Sequence, residues 1–154
     1  ALCALVPVSS SREDAVQAAL DLIEKDSLAY EAVEVGIKYK NEPASNLHEY
    51  YGDMSPVHSL NNLAVVVWAF LSFQDSFDEA IGETICCGWD TDCTGATVGG
   101  LLGLDMGAIP ESWTSPWQGR VQTAIAGVGE LDLDSLVKRT CTLVDKFSSL
   151  ADLG

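Results

Sequence analysis

The chain has 154 residues, enough for one domain with a real core, and its 47% apolar content means it is expected to fold rather than stay disordered. Its formal charge of -15 argues against binding to polyanionic nucleic acid and against attraction to an anionic membrane. The longest apolar run, Leu63 to Leu71, falls well short of the ~20 residues needed to span a bilayer.

Five cysteines, Cys3, Cys86, Cys87, Cys93 and Cys141, form an odd set without regular spacing. That pattern argues against a disulfide framework and for reduced thiols in a cytoplasmic protein. The opening ALCALVPVSSS has no Met and no basic leader, so it does not read as a signal peptide. It reads as the interior of an element, and the chain is expected to be a fragment of a longer protein.

In chain order, Ser10 and Glu13 have capping-box spacing, and Val16, Ala19, Leu20 and Ile23 follow on one helical face. A second helix is expected from about Ser27 to Tyr39, with Ala32, Val33 and Ile37 inward. NEPASN reads as a loop and HEYYGDMSP as irregular chain closed by Pro56. Asn61 and Asn62 then precede LAVVVWAFLSF, whose β-branched residues suit a buried strand or a buried helix. Asn at the start favours an N-cap and so a helix. Ser76 and Glu79 form another capping box before Phe77, Ala80, Ile81, Thr84 and Ile85, and Gly88 is a natural stop at C′. A further helix begins within GWDTDCTGATVGGLLG, with Asp92 placed to cap it, and IPESW reads as the turn after it. Asp132 or Asp134 is expected to cap a last helix whose inward face is Leu133, Leu136, Val137, Thr140, Val144 and Phe147. No alternating strand pattern is evident. The expected fold class is all-α, a compact multi-helix bundle over residues 1–154.

The chemistry concentrates at Asp90 and Asp92, one residue apart between two helices. Two carboxylates held close resist double ionisation unless something neutralises them, and a hard divalent cation does so well. The plain alternative is that Asp92 caps a helix and Asp90 is a solvated loop residue. Gly95, Gly99 and Gly103 recur every four residues, a stripe that lets another backbone or a ligand come close. Cys86, Cys87 and Cys93 with His48 or His58 match no zinc-finger spacing, and nothing fixes a Cys93–His58 nucleophile pair.

GWDTDCTGATVGGLLG resembles the C-terminal signature of the ADP-ribosylglycohydrolase family, written G-G-D-T-D-T and followed by Gly and Ala residues. SFDEAIGETICC resembles the helix leading into that signature, VHSLNNLAVVVWAF the apolar helix before it, and IPESW the Ile-Pro-x-x-Trp turn after it. The resemblance runs from about His58 to Trp113 and is only general outside that span.

The resemblance implies a larger all-α fold with two bound ions, Mg²⁺ or Mn²⁺, that hydrolyses the glycosidic bond joining ADP-ribose to a protein side chain or a small acceptor. It assigns Asp90 and Asp92 as metal ligands and puts Cys93 where the family places a metal-ligating Thr. A thiol is a softer ligand than a hydroxyl, which leaves open the loss of a ligand to water or a softer metal. The family's second, N-terminal cluster of Asp and Thr has no counterpart here, so the chain is expected to supply half of a dinuclear site: if it is part of a longer enzyme a missing N-terminal segment supplies the rest, and if it is complete its metal affinity should be weak and catalysis doubtful. No acid in this chain stands out as the general acid or base. His58 and Asn62 are read either as capping and turn residues or as the wall of the ADP-ribose pocket. Trp89 is read as core filler or as a ring that stacks on adenine or shields the site. Two functions follow: a metal-dependent hydrolase of ADP-ribosyl bonds, or a non-catalytic binding or structural member of the same fold with a degraded site.

Overall fold

A computed structural model describes the backbone of residues 1–151 and the side chains of residues 1–147. The chain divides into two compact units, Ala1–Ile109 and Pro110–Gly154. The first holds α1 (Leu2–Leu5), a 3₁₀ turn, α2 (Arg12–Leu20), α3 (Leu28–Lys38), α4 (Ser45–Tyr51), α5 (Ser59–Ser72), α6 (Phe77–Cys86) and α7 (Thr91–Met106). The second holds α8 (Glu111–Thr114), a 3₁₀ turn, β1 (Arg120–Gln122), β2 (Glu130–Asp132) and α9 (Leu133–Ala151). The all-α expectation holds, with one correction: β1 and β2 pair antiparallel, Val121 opposite Leu131. Each strand is three residues long with a single half-buried side chain, too short to show alternation in the sequence.

LAVVVWAFLSF is a helix. It forms most of α5, which is apolar all round because α2, α3, α4, α6 and α7 pack about it. Val65, Val67, Trp68, Phe70 and Leu71 are fully buried there. The cap is not an asparagine, however. His58 is the N-cap, its Nδ1 accepting from the Leu60 amide at 3.2 Å. Asn61 and Asn62 lie inside the helix and are buried.

Other boundaries also move. Ser11, not Ser10, caps α2 by accepting from the Asp14 amide at 3.1 Å. HEYYGDMSP is not wholly irregular: α4 takes in its first four residues and ends at Gly52, at φ +53. Seven residues with only Leu47 buried carry no readable periodicity. IPESW becomes a single helical turn, α8, with Pro110 at its N-cap. Ser76 caps α6 as expected, accepting from the Glu79 amide at 3.1 Å. Asp132 rather than Asp134 caps α9, accepting from the Ser135 amide at 2.8 Å.

The glycine stripe of α7 does face a neighbouring helix. A Cβ on Gly95 would sit 2.7 Å from Ile85 Cδ1 and one on Gly99 3.4 Å from Ile81 Cδ1, both on α6. The tightest approach is elsewhere: at Gly36 of α3 a Cβ would lie 2.6 Å from Val67 Cβ and 2.8 Å from the Ala64 carbonyl of α5.

Arg12 is buried at the end of α5. It donates to the carbonyls of Phe70, Phe73 and Gln74 at 3.0, 3.1 and 3.2 Å and to Asp105 at 2.8 Å. It thereby satisfies carbonyls that a helix C-terminus leaves orphaned. In the second unit, the expected inward face of α9 is only partly covered. Leu133 and Leu136 are half-buried, whereas Val137, Thr140, Val144 and Phe147 are exposed.

Candidate metal centre

α6 ends at Cys86 with Cys87 as its C-cap, and Gly88 follows in the left-handed region at φ +81, as its C′ position predicts. Trp89 is left-handed too, at φ +61, an unusual conformation for a bulky side chain. These two residues turn the chain so that α7 starts at Thr91 with Asp90 as its N-cap. The expectation that Asp92 caps the helix is therefore corrected: Asp92 sits in the first turn, where the helix N-terminus favours a carboxylate. The Asp90 carboxylate makes no capping bond to the helix backbone.

The ligand atoms of Asp90, Asp92 and Cys93 lie within 4.8 Å of one another. Asp90 is half-buried and the other two are exposed. Among the described residues no other group of three or more His, Cys, Asp and Glu side chains converges so closely. The Cys93 thiol is pushed up from its usual range by its hydrogen bond to Asp90, then by the Asp90 and Asp92 charges. The hard donors here are the two carboxylates, and the Cys93 sulfur is the one soft donor. That donor set fits an oxygen-seeking divalent cation better than a thiophilic one.

The backbone of Asp90 is pinned on both sides. Its amide donates to Asn62 Oδ1 at 3.3 Å, and its carbonyl accepts from the Thr94 amide at 2.9 Å and from Thr94 Oγ1 at 3.0 Å. Asn62 is held in turn, its Nδ2 donating to the carbonyls of Pro56 and His58 at 2.8 and 2.9 Å. The structure thus places Asn62 beneath the acidic bend, with every polar atom of its amide engaged. Thr94 is buried, with its hydroxyl donating to the Asp90 and Thr91 carbonyls.

His58 is exposed and lines a cavity of about 410 Å³ with Tyr50, Tyr51, Met54 and Leu60. Trp89 is half-buried, its ring 4.2 Å from that of His48 and 6.0 Å, edge-on, from that of Tyr51. The structure does not bring His58 into the Asp90–Asp92–Cys93 group, and Cys86 and Cys87 take no part in it. Cys87 is buried, and that burial, with Glu83 adding to it, raises its thiol to about 11.

Sequence reasoning missed the His48 contact to the bend. His48 Nε2 lies 2.7 Å from the Cys87 carbonyl oxygen. His48 and Tyr51 are three residues apart on α4, a spacing that puts two rings on one helical face. HEYY carried that signal only to a reader who took it as helical.

The family model described as ADP-ribosylglycohydrolase matches residues 1–147. No curated protein and no solved structure matches the chain.

Proposed function

The chain belongs to the ADP-ribosylglycohydrolase family, and from that premise we propose that it takes part in metal-dependent hydrolysis of ADP-ribosyl glycosidic bonds. In this reading Asp90 and Asp92 hold a Mg²⁺ or Mn²⁺ ion and supply half of a two-ion site. The observation that carries it is the convergence of Asp90, Asp92 and Cys93 within 4.8 Å at the start of a 16-residue helix. Family membership supports a hydrolase, and the donor set supports the choice of ion.

A divalent ion held there supplies positive charge that orients ribose oxygens and promotes deprotonation of water at neutral pH. The chain's own contribution is to place and ionise the ligands. The Asn62–Asp90–Thr94 bonds hold the Asp90 backbone at the start of α7, and the helix N-terminus favours the ionised carboxylates of its first turn. Cys93 stands beside the two carboxylates where the family has Thr, and in this reading it leaves that coordination position to solvent because a thiol is a softer ligand than a hydroxyl.

Release of ADP-ribose from an ADP-ribosylated protein, assayed with and without Mn²⁺, tests the reading. Metal-dependent release by the wild type that Asp92→Asn abolishes is expected; equal release with and without metal, or by Asp92→Asn, contradicts it. The thiol at position 93 favours a second reading, a non-catalytic member that binds ADP-ribose without turnover. Absence of product in this assay together with saturable ADP-ribose binding in a titration of the same chain would support it.

A further inference from the structure

The geometry points to His48 as a positioning residue for Asp90, acting through the Cys87 carbonyl and the Trp89 ring; its consequence for metal binding rests on the reading above. Gly88 and Trp89 are consecutive left-handed residues, at φ +81 and +61, and only the first is a glycine. A bulky residue in that region persists where its surroundings over-determine it. Two contacts from α4 do so here. The His48 Nε2 stands 2.7 Å from the Cys87 carbonyl oxygen. A carbonyl has no proton to give, so Nε2 carries the hydrogen and donates it. The same imidazole packs against the Trp89 indole, centroids 4.2 Å apart and planes tilted by 40°. One side chain therefore clamps the residue before the left-handed pair and the second member of that pair.

The next residue is Asp90. On its other side Asn62 takes the Asp90 amide and Thr94 the carbonyl. His48 completes the set of fixings from α4, where the Tyr51 ring also stands edge-on to Trp89 but only His48 reaches both Trp89 and the Cys87 carbonyl. Without it the Cys87 carbonyl and the Trp89 ring both lose a partner, and the bend is free to relax out of the left-handed region. The Asp90 backbone then shifts, and with it the placement of its carboxylate beside Asp92.

The test uses the full chain, with His48→Ala, His48→Gln and Asp92→Asn. Gln retains an N–H donor at about the reach of Nε2, so it is the rescue variant. Loss of a side chain that orients a metal ligand costs about 10–100-fold in metal affinity. The expectation is Mn²⁺ affinity lowered by about that factor in His48→Ala and partly restored in His48→Gln, with little change in the unfolding midpoint. Independently of any metal, amide hydrogen exchange at Trp89 and Asp90 should quicken at least about tenfold in His48→Ala, while mid-helix amides of α5 and α7 keep their protection. Unchanged exchange at Trp89 and Asp90 overturns the proposal. Quickened exchange together with a wild type that ignores Mn²⁺ upholds the clamp and overturns the metal reading. Uniformly quickened exchange with no rescue by Gln shows His48 to be a general stability residue and overturns the proposal as well.

Discussion

The side-chain oxygen of Asn62 stands 3.3 Å from the amide nitrogen of Asp90, tying the acidic bend to the buried first turn of α5. The same amide group donates to the carbonyls of Pro56 and His58. Asn62→Leu would leave the Asp90 amide and the Pro56 carbonyl without a protein partner, while the His58 carbonyl keeps the backbone amide of residue 62. Each such loss costs about 1–3 kcal/mol, less where the group relaxes toward solvent. Asn62→Leu is therefore expected to destabilise the fold by about 2–4 kcal/mol in urea unfolding. An unchanged midpoint would show that these bonds do not anchor the bend.

The glycines separate by what surrounds them. Gly36→Ala forces a methyl onto Val67 and the Ala64 carbonyl, which is backbone and cannot step aside. It should cost about 1–3 kcal/mol, as overpacking does. Gly95→Ala meets only the tip of Ile85, a side chain that is 43% exposed and can swing away, so its cost should be smaller. Gly100 has nothing within 4 Å, and Gly100→Ala should stabilise the helix by up to about 1 kcal/mol. Thermal unfolding of the three variants should rank them in that order.

Arg12 joins a carboxylate and three carbonyls at the end of α5 with a side chain that is 5% exposed. Arg12→Met should cost about 2–4 kcal/mol, since it leaves those groups unpaired and Asp105 is partly able to turn to water. Arg12→Lys should recover little, because a compact ammonium lacks the planar fork that reaches four acceptors. Denaturant midpoints of both variants give the comparison.

Alkaline pH should destabilise the fold in a defined window. Burial holds the Tyr51 phenol up at about 12 and the Cys87 thiol up at about 11, against ordinary values of 10.0 and 9.0. Both shifts are upward, so the folded state keeps its protons after the unfolded chain has lost them. Stability is thus unaffected by these groups below about pH 9 and falls as pH rises toward 12. The Tyr51 hydroxyl has no hydrogen-bond partner among the described residues. Tyr51→Phe should accordingly be neutral or stabilising at pH 7 and should blunt the fall above pH 10. Parallel curves for wild type and variant would contradict this.

Much of the fold was legible because its elements carry local signals. Ser76 and Glu79 mark the start of α6, and Gly88 its end, and both stand where the spacing put them. The α5 segment was ambiguous because a helix buried on all sides has no polar face to set a period. The capping reading of His58 is the one the structure bears out, although the preference for Asn at an N-cap drew the helix start to Asn61 and Asn62. The acidic bend was visible as two aspartates one residue apart, but the roles within it were not. Asp90 takes the N-cap position because Trp89 adopts a left-handed conformation, which sequence alone does not announce for a tryptophan. Arg12, Asn62 and His48 act through contacts with residues 28 or more positions away, and such pairings have no local signature. The face of α9 was drawn from periodicity, which specifies that a side of a helix is apolar and not what covers it.

The central claim is that Asp90 and Asp92 together grip a divalent cation. Calorimetric titration of the wild-type chain with Mn²⁺, beside Asp90→Asn and Asp92→Asn, reads it directly. The account predicts saturable heat in the wild type and at least about a tenfold loss of affinity in each variant, two charged oxygen ligands being the core of the donor set. Wild-type heats indistinguishable from those of Asp92→Asn would contradict it.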